Sequence, residues 1–210
     1  MKRTLKSLPI LAIPAALALS TGAVQAELDG KVTGNLTATS NYVWRGQEAA
    51  GAALQAGINY DDKTGIYAGA WTSNVDPSGN ELDLYIGYAG TAGAIEYDVG
   101  FIMYQYPQNS DANAEEFYAG ISQGAFAAKI STSSDMGDYI EVSAVLPVKR
   151  WEMMVHFGHY SVEVGDDYVD YSVTFTKPMQ GYDMSFMISD TDLDDDAYRT
   201  VVSVSKDFQP

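Results

Sequence analysis

His156, Glu141 and Ser143 are the side chains in this sequence whose types fit nucleophilic chemistry: a carboxylate orients an imidazole, the imidazole takes a proton, and a hydroxyl attacks. Pairing two neighbouring strands across a turn near Lys149 sets His156 opposite Glu141, with Ser143 diagonal on the same face. A polar interior holds many such coincidences, and no oxyanion-binding group is legible, so a barrel enzyme using these residues ranks last among the readings and the chain is expected not to be an enzyme. His156 and His159 stand three apart, which on a strand puts them on opposite faces and prevents joint metal binding. The chain has no cysteine, which excludes disulfides and zinc–thiolate sites. The acidic run 190–196 departs from a calcium loop, with Asp195 in place of the invariant glycine and Val201 in place of the bidentate glutamate, so it is expected to be a solvated loop. No cofactor and no metal site is expected.

The elements that carry these residues are strands. Twelve segments of about ten residues alternate with period 2 between Gly, Pro, Asn and Asp clusters: 31–44, 53–61, 65–73, 81–90, 94–106, 115–123, 125–133, 138–147, 150–162, 168–177, 182–190 and 197–208. In 82–88, Leu82, Leu84, Ile86 and Tyr88 share one face and Asp83, Tyr85 and Gly87 the other. In 168–176, Val169, Tyr171, Val173 and Phe175 oppose Asp170, Ser172, Thr174 and Thr176. Connections after even-numbered segments are tight, for example Gln123-Gly124, whereas most of those after odd-numbered ones are longer and acidic, as at 73–80, 107–114 and 191–196. An even strand count with short turns at one end and longer loops at the other is the pattern of bacterial outer-membrane barrels. The alternation alone also fits a soluble β-sandwich, which the connections argue against.

Aromatic residues recur near strand ends on the apolar face: Tyr42, Trp44, Tyr60, Tyr97, Phe117, Trp151, Tyr182, Tyr198 and Phe208, as interfacial girdles require. Lys63, Lys149, Arg150 and Lys177 gather at the tight-turn end. That polarity puts Asp76, Asp111 and Asp195 outside the cell and Lys63 and Lys149 in the periplasm.

Lys2, Arg3 and Lys6 precede an apolar run from Leu8 to Leu19 that is too short to span a bilayer as a helix, and Val24 and Ala26 suit a signal peptidase. The expected organisation is a signal peptide over 1–26 and one barrel domain over 27–210. Removing three basic residues from a net charge of −16 leaves about −19 on the mature chain, so nucleic acid is not an expected partner. The abundance of Tyr, Val, Ile and Trp argues against disorder.

Several stretches resemble the TorF porin family of proteobacterial outer-membrane proteins. They are Ser40-Asn41-Tyr42-Val43-Trp44-Arg45-Gly46, then 57–60, 65–69 and 71–75, with further agreement at 81–88, 97–100, 104–107, 156–160 and 167–171. The resemblance implies an all-β transmembrane antiparallel barrel in the outer membrane, in contact with lipid, lipopolysaccharide and the barrel-assembly machinery, and a porin activity without catalytic residues. It departs from the usual pattern of such barrels at the end of the chain, where Gln209-Pro210 follows Phe208, an aromatic of the kind that assists assembly.

If the apolar faces meet lipid, the polar faces line a lumen. The pore-lining candidates are Asp83, Asp98, Lys129, Glu141, Glu152, His156, Asp170, Asp183 and Arg199. Their acid excess implies passive diffusion of small solutes or ions with a mild cation preference. The alternative is a plugged structural or adhesive barrel presenting its acidic loops, which a bore of about twelve strands permits.

Overall fold

A computed structural model of the protein describes residues 30–194 and 197–209. The expected signal peptide, Asp195 and Asp196 of the acidic run, and Pro210 lie outside the described residues. The wall strands are β1 (Gly30–Thr39), β4 (Ala53–Asp62), β5 (Ile66–Val75), β6 (Gly79–Ala92), β7 (Ile95–Gln105), β8 (Ala114–Gln123), β9 (Phe126–Ser133), β10 (Gly137–Val148), β11 (Trp151–Val162), β12 (Tyr168–Met179), β13 (Tyr182–Thr191) and β14 (Arg199–Phe208). These twelve pair antiparallel with their sequence neighbours, and β1 also pairs with β14, from Gly34↔Phe208 to Thr39↔Ser203, so the sheet closes into a barrel. Closure leaves no edge strand, so the ladder groups of every wall strand find partners on both sides.

The tight turns fall where expected, at 63–65, 93–94, 124–125, 149–150 and 180–181. The other end carries 40–52, 76–78, 106–113 with a short 3-10 turn at Ser110–Ala112, 134–136, 163–167 and a partly described connection after β13. The connection expected over 73–80 is shorter than its sequence suggests, because β5 runs on to Val75 and β6 starts at Gly79.

One departure is large. The first segment, expected to run to residue 44, leaves the wall after Thr39, and residues 42–50 form a separate hairpin of β2 (Tyr42–Trp44) and β3 (Gln47–Ala50). Its two-residue turn is Arg45-Gly46, with φ of 46° and 78°, the doubly positive geometry that matches strand twist in tight hairpins. Tyr42 is 3 % exposed and Trp44 packs beside Tyr104 and Tyr160, so both belong to the interior rather than to an outer girdle.

The outer face is apolar and uncovered: Leu54, Phe117 and Phe126 are 75, 62 and 67 % exposed, and Ile58, Ile86, Ile130 and Ile140 are exposed with them. Charged side chains on this face, Asp62, Glu115, Asp138, Lys177, Asp190 and Lys206, lie within three residues of a strand end. At the tight-turn end Lys177 sits over the Trp151 ring at 5.4 Å and Lys206 over Tyr182 at 5.0 Å, cations held by the aromatic rim.

Inside, tyrosines lie across glycines of the neighbouring strand. Gly87 pairs with Tyr67, and a Cβ added there would meet the Tyr67 ring at 2.2 Å. Gly158 lies diagonal to Tyr139 on the neighbouring strand, and a Cβ added there would meet the Tyr139 hydroxyl at 2.1 Å. Replacing Gly87 by Val forces Tyr67 out of its place, a cost on the order of 1–3 kcal/mol for overpacking. The expected outcome is a lower denaturant midpoint, followed by tyrosine fluorescence or by the gel mobility difference between folded and heated protein.

Candidate functional site

The interior is built around the inward hairpin. Rooted between β1 and β4, it reaches the opposite wall, where Arg45 pairs with Glu116 of β8 and the Tyr168 hydroxyl donates to the Arg45 carbonyl at 3.0 Å. The Arg45 guanidinium lies 4.3 Å from the ring centres of Trp44 and Tyr139 and 4.7 Å from that of Tyr160. Burial opposes its charge, but Glu116 together with Tyr104 and Tyr160 outweighs that effect and holds the group protonated well above its ordinary range. Tyr42 packs edge-on to Trp71 and donates to Glu81 at 2.9 Å, and Ala49 accepts from the Asp76 amide at 2.8 Å. Gly46 comes against Asp170 and Thr191 so closely that a Cβ would lie 2.6 and 2.7 Å from them.

The buried charged residues of the wall are carried by β6 to β12. Glu81 accepts from Tyr42 and Tyr106, and Asp98 accepts from Tyr67 at 2.6 Å, which also contacts the Tyr118 hydroxyl. Lys129 binds Glu141 at 2.7 Å, and the other Glu141 oxygen lies 3.4 Å from His156 Nδ1. His156 Nε2 is 2.9 Å from Asp170 and 3.0 Å from the Tyr139 hydroxyl, which itself donates to Asp170 at 2.8 Å. This chain from Lys129 to Asp170 crosses four strands, β9 to β12.

All nine residues proposed from sequence to line the lumen sit on the inward face. Asp83, Asp98, Lys129 and Asp170 are buried; Glu141 and His156 are largely enclosed by each other and by their neighbours. Glu152 is exposed and Asp183 partly exposed near the tight turns, and Arg199 is partly exposed at the opposite end. The register differs from expectation: His156 pairs with Ser143, and Glu141 with Gly158, because the turn is the two-residue Lys149-Arg150. Both His156 ring nitrogens face carboxylates, so neither is turned to Ser143. Arg45 and Glu116 were not among the residues proposed for the lumen and Tyr42 was assigned to the outer girdle, although a glycine inside an overlong strand, able to take the positive φ of a tight hairpin turn, is a signal that could have found the hairpin.

The buried side chains of the other side, from β13 through β14 and β1 to β4, are uncharged, while Asp183 and Arg199 stand near the strand ends. Thr33, Asn35, Thr37 and Thr39 of β1, Gln55 and Asn59 of β4, Thr174 of β12, and Ser185 and Ser189 of β13 point inward. Between this wall and the hairpin lies a cavity of about 30 Å³ lined by Thr39, Tyr42, Gln55, Thr174, Val201 and Ser203 among others. Below it, towards the tight turns, Ser143, Ser172, Thr176, Ser185 and Ser205 are partly exposed, so the bore opens to solvent at that end.

Residues 24–209 match a bacterial family described as of unknown function, Gcw_chp. The chain belongs to the Gcw_chp family. No curated protein matches this Gcw_chp sequence. Among solved structures its barrel is similar to the KdgM porin, with a TM-score of 0.62 and 9 % identity over 84 % of this chain and 99 % of that one. It is likewise similar to a KdgM porin in complex with disordered oligogalacturonate, with a TM-score of 0.61 and 9 % identity over 85 % of this chain and 99 % of the other. At such identity the likeness establishes the fold of this Gcw_chp barrel, a closed twelve-stranded antiparallel sheet.

Removing the Arg45 charge leaves Glu116 buried without its cation. Arg45→Met is therefore expected to cost about 3–5 kcal/mol, whereas the Arg45→Met, Glu116→Gln double variant costs less than the two single changes together. Denaturant titration of the four proteins in a double-mutant cycle measures the coupling.

Proposed function

We propose that this protein is an outer-membrane porin, exported by its N-terminal signal and passing small solutes by diffusion. The observation that carries the reading is the inside-out barrel: an uncovered apolar outer face, aromatic and lysine rims at the strand ends, and a polar bore. Such a face needs lipid, and strands cross lipid only as a closed barrel. The acidic longer-loop end then faces outward, with Asp76 and Asp111, and the basic tight turns with Lys63 and Lys149 face the periplasm. The KdgM-like fold and the TorF-like stretch 40–46 support the same reading. Oligogalacturonate is a polyanion, and a bore richer in acids than in bases does not suit one.

A non-enzymatic role is supported by the engagement of both His156 nitrogens with carboxylates. A second reading, a closed barrel that presents its loops, rests on the inward hairpin. The two separate on conductance. In planar bilayers the mature protein is expected to pass current at low unit conductance, and replacing 41–51 by a short Gly-Ser turn to raise it severalfold. Absence of current in both proteins favours the closed barrel.

Ion selectivity follows from which acids meet water. Glu141 and Asp170 are engaged by Lys129 and His156 within the interior, whereas Glu152 and Asp183 stand at the periplasmic mouth. Glu152→Gln with Asp183→Asn is expected to lower the cation-to-anion permeability ratio, more at low salt than at high. Glu141→Gln with Asp170→Asn is expected to change the ratio less and stability more. Reversal potentials in a salt gradient measure both.

A further inference from the structure

We propose that the conduit runs along the seam between the hairpin and the β12–β13–β14–β1 wall, and that its substrates are uncharged polyhydroxylated solutes of sugar size. The inference rests on the porin reading and names its substrate class.

The hairpin is fastened to β6, β8 and β12, through Tyr42 to Glu81, Arg45 to Glu116 and Tyr168 to the Arg45 carbonyl. The seam lies beside β1, β13 and β14, where a cavity of about 30 Å³ remains between the hairpin and the wall. That volume holds a water or two, so a sugar passes only when the hairpin shifts away from the neutral wall. No charged side chain lines this constriction among the described residues. Its polar lining is hydroxyl and amide, beside the apolar Val43, Met187 and Val201, and these polar groups both donate and accept and so match a sugar hydroxyl at either role.

Three of the wall hydroxyls strengthen the assignment. Thr33, Thr37 and Thr174 are 4, 3 and 7 % exposed, and their Oγ1 atoms have no hydrogen-bond partner among the described residues. Buried hydroxyls are ordinarily paired; Thr174 lines the cavity, and Thr33 and Thr37 stand on the inward face of β1, the strand that Thr39 continues to the same cavity. A solute hydroxyl moving along the wall meets partners not already committed to the protein. An ion of either sign, by contrast, loses hydration at the seam without meeting an opposite charge, which costs far more than moving a hydroxyl between hydrogen-bonding surroundings.

The test uses the refolded mature chain in liposomes, following uptake of glucose, glucosamine and glucuronate, which are similar in size and differ in charge. Glucose is expected to enter faster than either charged sugar. Thr37→Val with Thr174→Val removes two of the three unpartnered hydroxyls without breaking an internal hydrogen bond and is expected to slow glucose on the order of fivefold. Thr37→Ser with Thr174→Ser restores a hydroxyl at both positions and is expected to retain uptake. The gel mobility shift on heating shows that each variant is folded. If ions pass but glucosamine or glucuronate outpaces glucose, or if the valine pair leaves glucose uptake unchanged, the neutral seam is wrong while the porin reading stands. If neither ions nor sugars pass through the wild-type or the hairpin-replaced protein, the porin reading itself fails and this inference with it.

Discussion

Closure of the sheet between β1 and β14 is the constraint from which the rest of the structure follows. A strand ladder open at one edge would present unpaired backbone groups, and joining the ends removes that cost for every wall strand at once. Closing twelve strands also makes a bore wider than wall side chains alone fill, since eight strands already give an interior just filled by them. The chain answers this in two ways. Tyrosines span the bore from one wall, seated over glycines such as Gly87 and Gly158, and the connection after β1 folds inward as a hairpin.

Filling the bore with a polar hairpin brings charge into it, and buried charge survives only when paired and hydrogen-bonded. Arg45 meets Glu116 amid three aromatic rings, and Lys129, Glu141, His156 and Asp170 compensate one another across four strands. The acids are therefore mostly structural groups of one half of the interior. The opposite half, built from Thr, Ser, Asn and Gln, has no such obligations. This segregation separates the groups that hold the interior together from those that a solute meets in the proposed function.

The two faces of the wall differ for a simple reason. Side chains alternate with period 2, so each strand has an outward apolar set and an inward polar set, and the sequence reading of Leu82, Leu84 and Ile86 against Asp83, Tyr85 and Gly87 agrees with the barrel residue by residue. The strand ends hold the exceptions, where Lys177 and Lys206 lie over Trp151 and Tyr182 and a charge keeps its contact with water.

Sequence by itself determined the twelve wall strands, the two classes of connection and the inward face of Asp83, Asp98, Lys129, Glu141 and Asp170, because alternation and turn chemistry are local properties of the chain. It did not determine what the bore contains. Tyr42 and Trp44 carry the same alternation as a strand end, and nothing local distinguishes an aromatic on an outer rim from one folded into the lumen; that choice belongs to Arg45, whose partner Glu116 is 71 residues away. Nor did sequence separate free acids from paired ones, since His156, directly opposite Ser143 in the β10–β11 register, turns its ring nitrogens to Glu141 and to Asp170 of the next strand. Pairing is a property of distance between strands, and only the closed barrel sets those distances.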